Sequence, residues 1–135
     1  MERKQAREFM MKVFFQMDAL NDYNIDNRED YFKNADLGGQ AEYCKNLYSL
    51  VCNKKEEIDE KIEKHSKSWT LRRMPKTAAS VLRLAACEIL YMDSIPAPVS
   101  INEAVEMAKV YGDENAPSYV NAILRKVAEE KGKDE

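Results

Sequence analysis

Apolar residues return along this chain at the three- and four-residue spacings of helices, and no segment reads as a strand. From about Arg3 to Leu20, Ala6, Met10, Val13 and Met17 fall at intervals of four, three and four, and Phe9 and Phe14 widen the stripe. Arg3, Lys4, Arg7 and Lys12 lie largely off it and give this predicted first helix a basic edge. Asn21 to Asp36 is polar and acidic around Tyr23, Ile25, Tyr31 and Phe32, the pattern of a loop carrying a short helix. Gly38-Gly39 breaks the chain, and Tyr43, Leu47, Leu50 and Val51 predict a helix from about Gln40 to Cys52. The next stretch, Lys54 to His65, has only Ile58 and Ile62 at i, i+4 and reads as a separate surface helix.

Trp69 and Leu71 anchor the connection that follows, and Pro75 stands where a first-turn proline starts a helix. Thr77 to Met92 is apolar nearly all round apart from Ser80, Arg83 and Glu88, as a helix surrounded by others must be. Pro96 and Pro98 end it. Ser100-Ile101-Asn102-Glu103 has the form of a capping box, which predicts a helix start there, with Ile101, Ala104, Val105 and Ala108 facing inward. Gly112 ends that helix, and Asn115 can cap a last one carrying Tyr119, Val120, Ile123, Leu124 and Val127. The charged tail, Glu129 to Glu135, is expected to fray. The sum is an all-α fold of six or seven helices.

A chain of 135 residues fits one domain. Its net charge of −3 means that any nucleic-acid site must be a local basic patch. No apolar run reaches the roughly 18 residues that span a bilayer, and the charged, amphipathic start is unlike a signal peptide, so a cytoplasmic location without membrane contact is expected. Cys44, Cys52 and Cys87 form no C-x-x-C pair and suit reduced core thiols.

Residue types suited to catalysis are scarce. His65 is the sole histidine and lies in the charged run Glu63-Lys64-His65-Ser66-Lys67, which reads as a solvated face. No metal-ligand spacing surrounds it, no glycine-rich phosphate loop exists, and neither a cofactor nor enzymatic activity is expected. The pairs Glu56-Glu57 and Asp59-Glu60 sit among lysines at surface-pairing distances. Arg83 and Glu88, inside the apolar helix, require partners, and a structural ion pair or a backbone contact is expected of each rather than a functional role.

What remains is the amino-terminal cluster. Arg3, Lys4 and Arg7 occupy about one and a half helical turns and can follow a polyanion backbone. The start of the last helix adds free amides that can receive a phosphate. Tyr119, one turn in, fits stacking on an unpaired base or the core, and spacing alone favours the core.

The run Ser80-Val-Leu-Arg-Leu-Ala-Ala-Cys-Glu-Ile-Leu-Tyr91, then Ile95-Pro96, Val99-Ser-Ile-Asn-Glu-Ala-Val-Glu-Met-Ala-Lys109, Tyr111-Gly112 and Tyr119-Val-Asn121 closely resembles the NusB transcription-antitermination family. Arg3-Lys4-Gln5-Ala6-Arg7-Glu8 and Val13-Phe14-Phe15-Gln16 resemble that family's basic start and aromatic-rich first helix. The resemblance implies a NusB-like fold across residues 1–135, two small helical bundles packed together at approximately 1–74 and 75–131. It implies binding of boxA RNA in ribosomal RNA leader transcripts, jointly with the ribosomal small-subunit protein NusE, in a complex with NusA, NusG and RNA polymerase. RNA contacts implied residue by residue are Arg3, Lys4, Arg7, Phe15, Asn115 and Tyr119. Asn115 stands where relatives often carry aspartate, Phe15 where tyrosine is frequent, Tyr119 for the usual phenylalanine, and Ala78 at a commonly acidic position. YVNAILRK also resembles the NusB-like domain fused to RNA cytosine methyltransferases. A protein-interaction module or homodimer without RNA is the competing reading.

Overall fold

The computed structural model describes residues 1–67 and 69–134. Among them the chain forms helices and no strand: α1 (Arg3–Leu20), a 3-10 turn (Ile25–Asn27), α2 (Arg28–Phe32), a second 3-10 turn (Gly38–Gln40), α3 (Ala41–Lys64), α4 (Lys76–Tyr91), α5 (Ala97–Tyr111) and α6 (Ala116–Asp134). The fold is all-α, as the periodicity requires.

α4 is the hub, touching α1, α3, α5 and α6. Its residues from Ala78 to Ile89 are all buried, so even its polar positions face other helices. Arg83 donates to Asp59 Oδ1 at 2.8 Å, to Asp18 Oδ1 at 2.9 Å and to the Tyr23 hydroxyl at 2.8 Å. Glu88 pairs with Arg7 at 2.8 Å. Of the two expected alternatives, ion pair or backbone contact, both residues form ion pairs, and these set α1 antiparallel to α4, with Arg7 at one end and Asp18 at the other. Tyr23 also fastens the acidic segment after α1, and Tyr48 donates to the Asn24 carbonyl at 2.7 Å from the α3 side. The polar segment is held by these two hydroxyls and by the buried Phe32 ring, 5.8 Å from Phe9 and 5.7 Å from Tyr48 between centroids.

Several local expectations change. The predicted helices before and after Cys52 are one helix, α3, interrupted only by the non-helical backbone of Lys54 (φ −116°, ψ 16°). Val51, Ile58 and Ile62 are all fully buried, so one apolar strip runs through the bend. The Ser100–Glu103 capping box does not form. α5 starts at Ala97, behind Pro96 and with Pro98 in its first turn, where a missing amide hydrogen costs nothing. Ser100 is thus one turn inside the helix, buried, and its hydroxyl donates to Glu88 Oε1 at 2.7 Å.

The tail is also more ordered than its charge suggests. α6 continues to Asp134, and the Glu130 carboxylate meets Lys61 and Lys64 at 2.6 Å and His65 Nε2 at 3.0 Å. His65, read as solvated, therefore helps clamp α6 to the end of α3. Lys131 donates to the Ile89 carbonyl at 2.9 Å.

Candidate RNA-binding surface

Lys4, Glu8, Lys12 and Phe15 follow one another at helical spacing on the outer face of α1. Lys4 is exposed and has no side-chain partner among the described residues, and Phe15 is 40% exposed. Arg3 is more constrained: its Nε donates to Gln40 Oε1 at 2.5 Å and its guanidinium carbon lies 4.1 Å from the Tyr43 ring centroid.

Arg7 points the other way. Its side chain is 6% exposed, and Nε and Nη2 donate to the two Glu88 oxygens at 2.8 and 3.1 Å. Burial alone lowers the pKa of this guanidinium, but the Glu88 carboxylate outweighs it and the net shift is upward. The guanidinium is committed to the interior, apart from the basic edge assigned to it by spacing.

The face of α1 meets the last two helices through Tyr111. The Tyr111 hydroxyl donates to Glu8 Oε2 at 2.6 Å, and Lys12 Nζ stands 5.4 Å from its ring centroid. Immediately beyond, Gly112 closes α5, its amide donating to the Ala108 carbonyl at 2.9 Å. A Cβ there would lie 2.7 Å from the Ala108 oxygen and 2.7 Å from Ala116 Cβ. The close approach of the α5 end to the first residue of α6 thus depends on an absent side chain. Glu8 and Lys12 on α1 thus touch the last residue of α5, next to this tight junction with α6.

At that start the capping differs from expectation. Asp113, not Asn115, accepts the free amides: its Oδ1 receives the Asn115 N–H at 3.0 Å and the Ala116 N–H at 2.9 Å. The Asn115 side chain is exposed and has no intramolecular partner. Tyr119 is half-buried, with Trp69 at 5.0 Å between ring centroids in an edge-on contact. Its hydroxyl oxygen is buried and has no hydrogen-bond partner, and burial, with Asp113 nearby, raises its pKa. Tyr119 is thus packed partly against the core, with part of its surface exposed.

Sequence reasoning missed Tyr111 as the joint and Trp69 as a neighbour of Tyr119. The signal for Tyr111 was a ring directly before the helix-ending glycine; none pointed from Trp69 to Tyr119. No group of three or more His, Cys, Asp or Glu among the described residues could hold a metal ion, and no helix among them is long and apolar enough to cross a membrane.

The model of the NusB family matches residues 4–129. The transcription antitermination protein NusB of Alkaliphilus oremlandii is 44% identical over 133 residues, covering 98% of this chain and 96% of the relative. That of Natranaerobius thermophilus is 43% identical over 138 residues, covering 98% and 99%. Among solved structures, T. maritima NusB superposes with a TM-score of 0.87 at 31% identity, over 96% of this chain and 92% of that one. A chain from the crystal structure of antitermination factors NusB and NusE in complex with dsRNA gives a TM-score of 0.82 at 27% identity, over 95% and 96%. With a family match over nearly its full length and relatives of this similarity, the chain belongs to the NusB family.

Proposed function

We propose that the chain is a non-catalytic transcription antitermination factor that binds boxA RNA together with NusE, in the cytoplasm, and joins a complex with NusA, NusG and RNA polymerase. The observation that carries this reading is the contact of Glu8 and Lys12 on α1 with Tyr111 at the end of α5, which supports a surface where Lys4, the exposed Phe15 ring and the Asn115 carboxamide act together. Lys4 and Arg3 neutralise phosphates, Phe15 and Tyr119 offer rings to unpaired bases, and Asn115 hydrogen-bonds a base edge or sugar. Arg7 is a positioning residue in this scheme: held by Glu88, it fixes the rotation of α1 and hence the outward aim of Lys4. The relatives named as antitermination proteins, and the neighbour found with NusE and dsRNA, support the same role.

The test is titration of fluorescent boxA RNA and a scrambled RNA with the protein, alone and with NusE, by anisotropy. The proposal expects tighter binding to boxA and a further gain with NusE. Equal affinity for both RNAs with NusE present, or a homodimer that never binds either, contradicts it.

A further inference from the structure

From Lys64 to Cys87 the sequence contains no acidic residue, although the whole chain carries a net charge of −3. The middle of that stretch is the α3–α4 connection, where the side chains of Lys67, Arg72 and Arg73 are all exposed and have no partner among the described residues. Three free cations on one short connection repel one another and stabilise nothing within the fold. Between them Trp69 keeps 36% of its surface exposed while its edge contact with Tyr119 holds the ring against the start of α6. Beside that contact lies the Tyr119 hydroxyl, buried without a partner.

The patch is continuous with the surface already described. Trp69 joins it to α6, and Arg72 lines a cleft of about 650 Å³ together with Asp18 and Ala19, one turn along α1 from Phe15. The carboxylates of that cleft are occupied: Asp18 and Asp59 by Arg83, and Glu63 by the Leu71 amide at 2.8 Å. Glu63 keeps its charge on the cleft side of Arg72, while Lys67 and Arg73 are not among the residues lining that cleft.

We propose that the α3–α4 connection is a second stretch of single-stranded RNA interface, in which Trp69 takes an unpaired base and Lys67, Arg72 and Arg73 hold the flanking phosphates. Unpaired cations around a half-exposed ring suit an unpaired strand better than a protein face, because every base offers a stacking surface and every linkage a charge. This rests on the RNA-binding reading above and lengthens the path the strand follows, from the outer face of α1 past the α6 start to this connection.

Trp69 is the sole tryptophan, so its emission reports on the site directly. Titration with boxA RNA extended at both ends is expected to quench that emission with the same midpoint as anisotropy. Arg72→Ala with Arg73→Ala, both exposed positions, is expected to lower the salt slope of single-strand binding by about 1.4. Trp69→Ala is expected to weaken binding about tenfold. Unchanged emission at saturating RNA overturns the proposal. So does a wild-type salt slope in the double variant, including the case where that variant instead loses NusE, which assigns the patch to a protein. If the wild-type protein with NusE binds no boxA RNA, the underlying reading fails; if it binds and these signals are absent, the extension alone fails.

Discussion

Glu88 receives both guanidinium donors of Arg7, at 2.8 and 3.1 Å, on a carboxylate with no exposed side-chain surface. The same carboxylate accepts the Tyr43 hydroxyl at 2.5 Å and the Ser100 hydroxyl at 2.7 Å. One anion on α4 thereby ties α1, α3 and α5 to it. Such a group, fully satisfied, stabilises the arrangement, but removing one partner leaves the others buried and unpaired.

Arg7→Ala is accordingly expected to cost about 3–5 kcal/mol of stability, the range for breaking a buried pair from one side. Glu88→Ala should cost at least as much, since two hydroxyls lose their acceptor as well. Urea unfolding measures both. In Arg7→Ala, RNA affinity lost in proportion to unfolded protein supports a positioning role, whereas a change in salt slope in the folded protein marks a direct phosphate contact.

At Gly112 the conformation is extended and open to any residue, and only space decides. A Cβ 2.7 Å from both a carbonyl oxygen and Ala116 Cβ forces the α5–α6 junction apart. Gly112→Ala is expected to destabilise by about 1–3 kcal/mol, a figure typical of overpacking, and to release the Tyr111 hydroxyl from Glu8. A stability unchanged in thermal unfolding contradicts that packing.

Two carboxylates set the acid sensitivity. Burial raises the Asp18 pKa, but Arg83 and Lys76 outweigh it and the net shift is downward; Lys61 and Lys64 hold Glu130 down to about 2, from a usual 4.5. A group whose pKa falls on folding stabilises the fold above its unfolded value and loses that contribution as pH drops through the folded one. Stability is therefore expected to be level above about pH 5 and to fall between about 4.5 and 2. Denaturation at a series of pH values tests this, and Glu130→Gln should flatten part of the decline.

Burial raises the Cys44 and Cys52 thiols to about 11 and Cys87 higher still. With so little thiolate at neutral pH, the folded protein should react slowly with iodoacetamide, and urea should release all three thiols. Rapid labelling of Cys44 or Cys87 in the native protein contradicts the packing.

Helix identity was legible wherever an apolar stripe was wide, as in α1 and α4, because a 3.6-residue period leaves few alternatives. The bend at Lys54 was not, since the sequence there shows a gap in the stripe but not whether the strip continues beyond it. The Ser100 hydroxyl illustrates a different limit. A serine three residues before a glutamate fits a cap, yet Glu88, distant in sequence, claims the hydroxyl. Arg7 falls to the same partner: in a list of basic residues it equals Lys4, and only the fold separates an inward guanidinium from an outward ammonium. The candidate site was read from two clusters at the ends of the chain; the ring before the helix-ending glycine marked Tyr111, but its contact with Glu8 and Lys12 emerged only from tertiary packing.

Backbone amide shifts on adding boxA RNA to the isotopically labelled protein with NusE test the central claim most directly. The account predicts that Lys4, Lys12, Phe15, Asn115 and Tyr119 shift together with one midpoint, while Glu56 and Glu60 on the outer side of α3 stay fixed. Shifts confined to α3, or to only one of the two clusters, would contradict a single strand held between α1 and the start of α6.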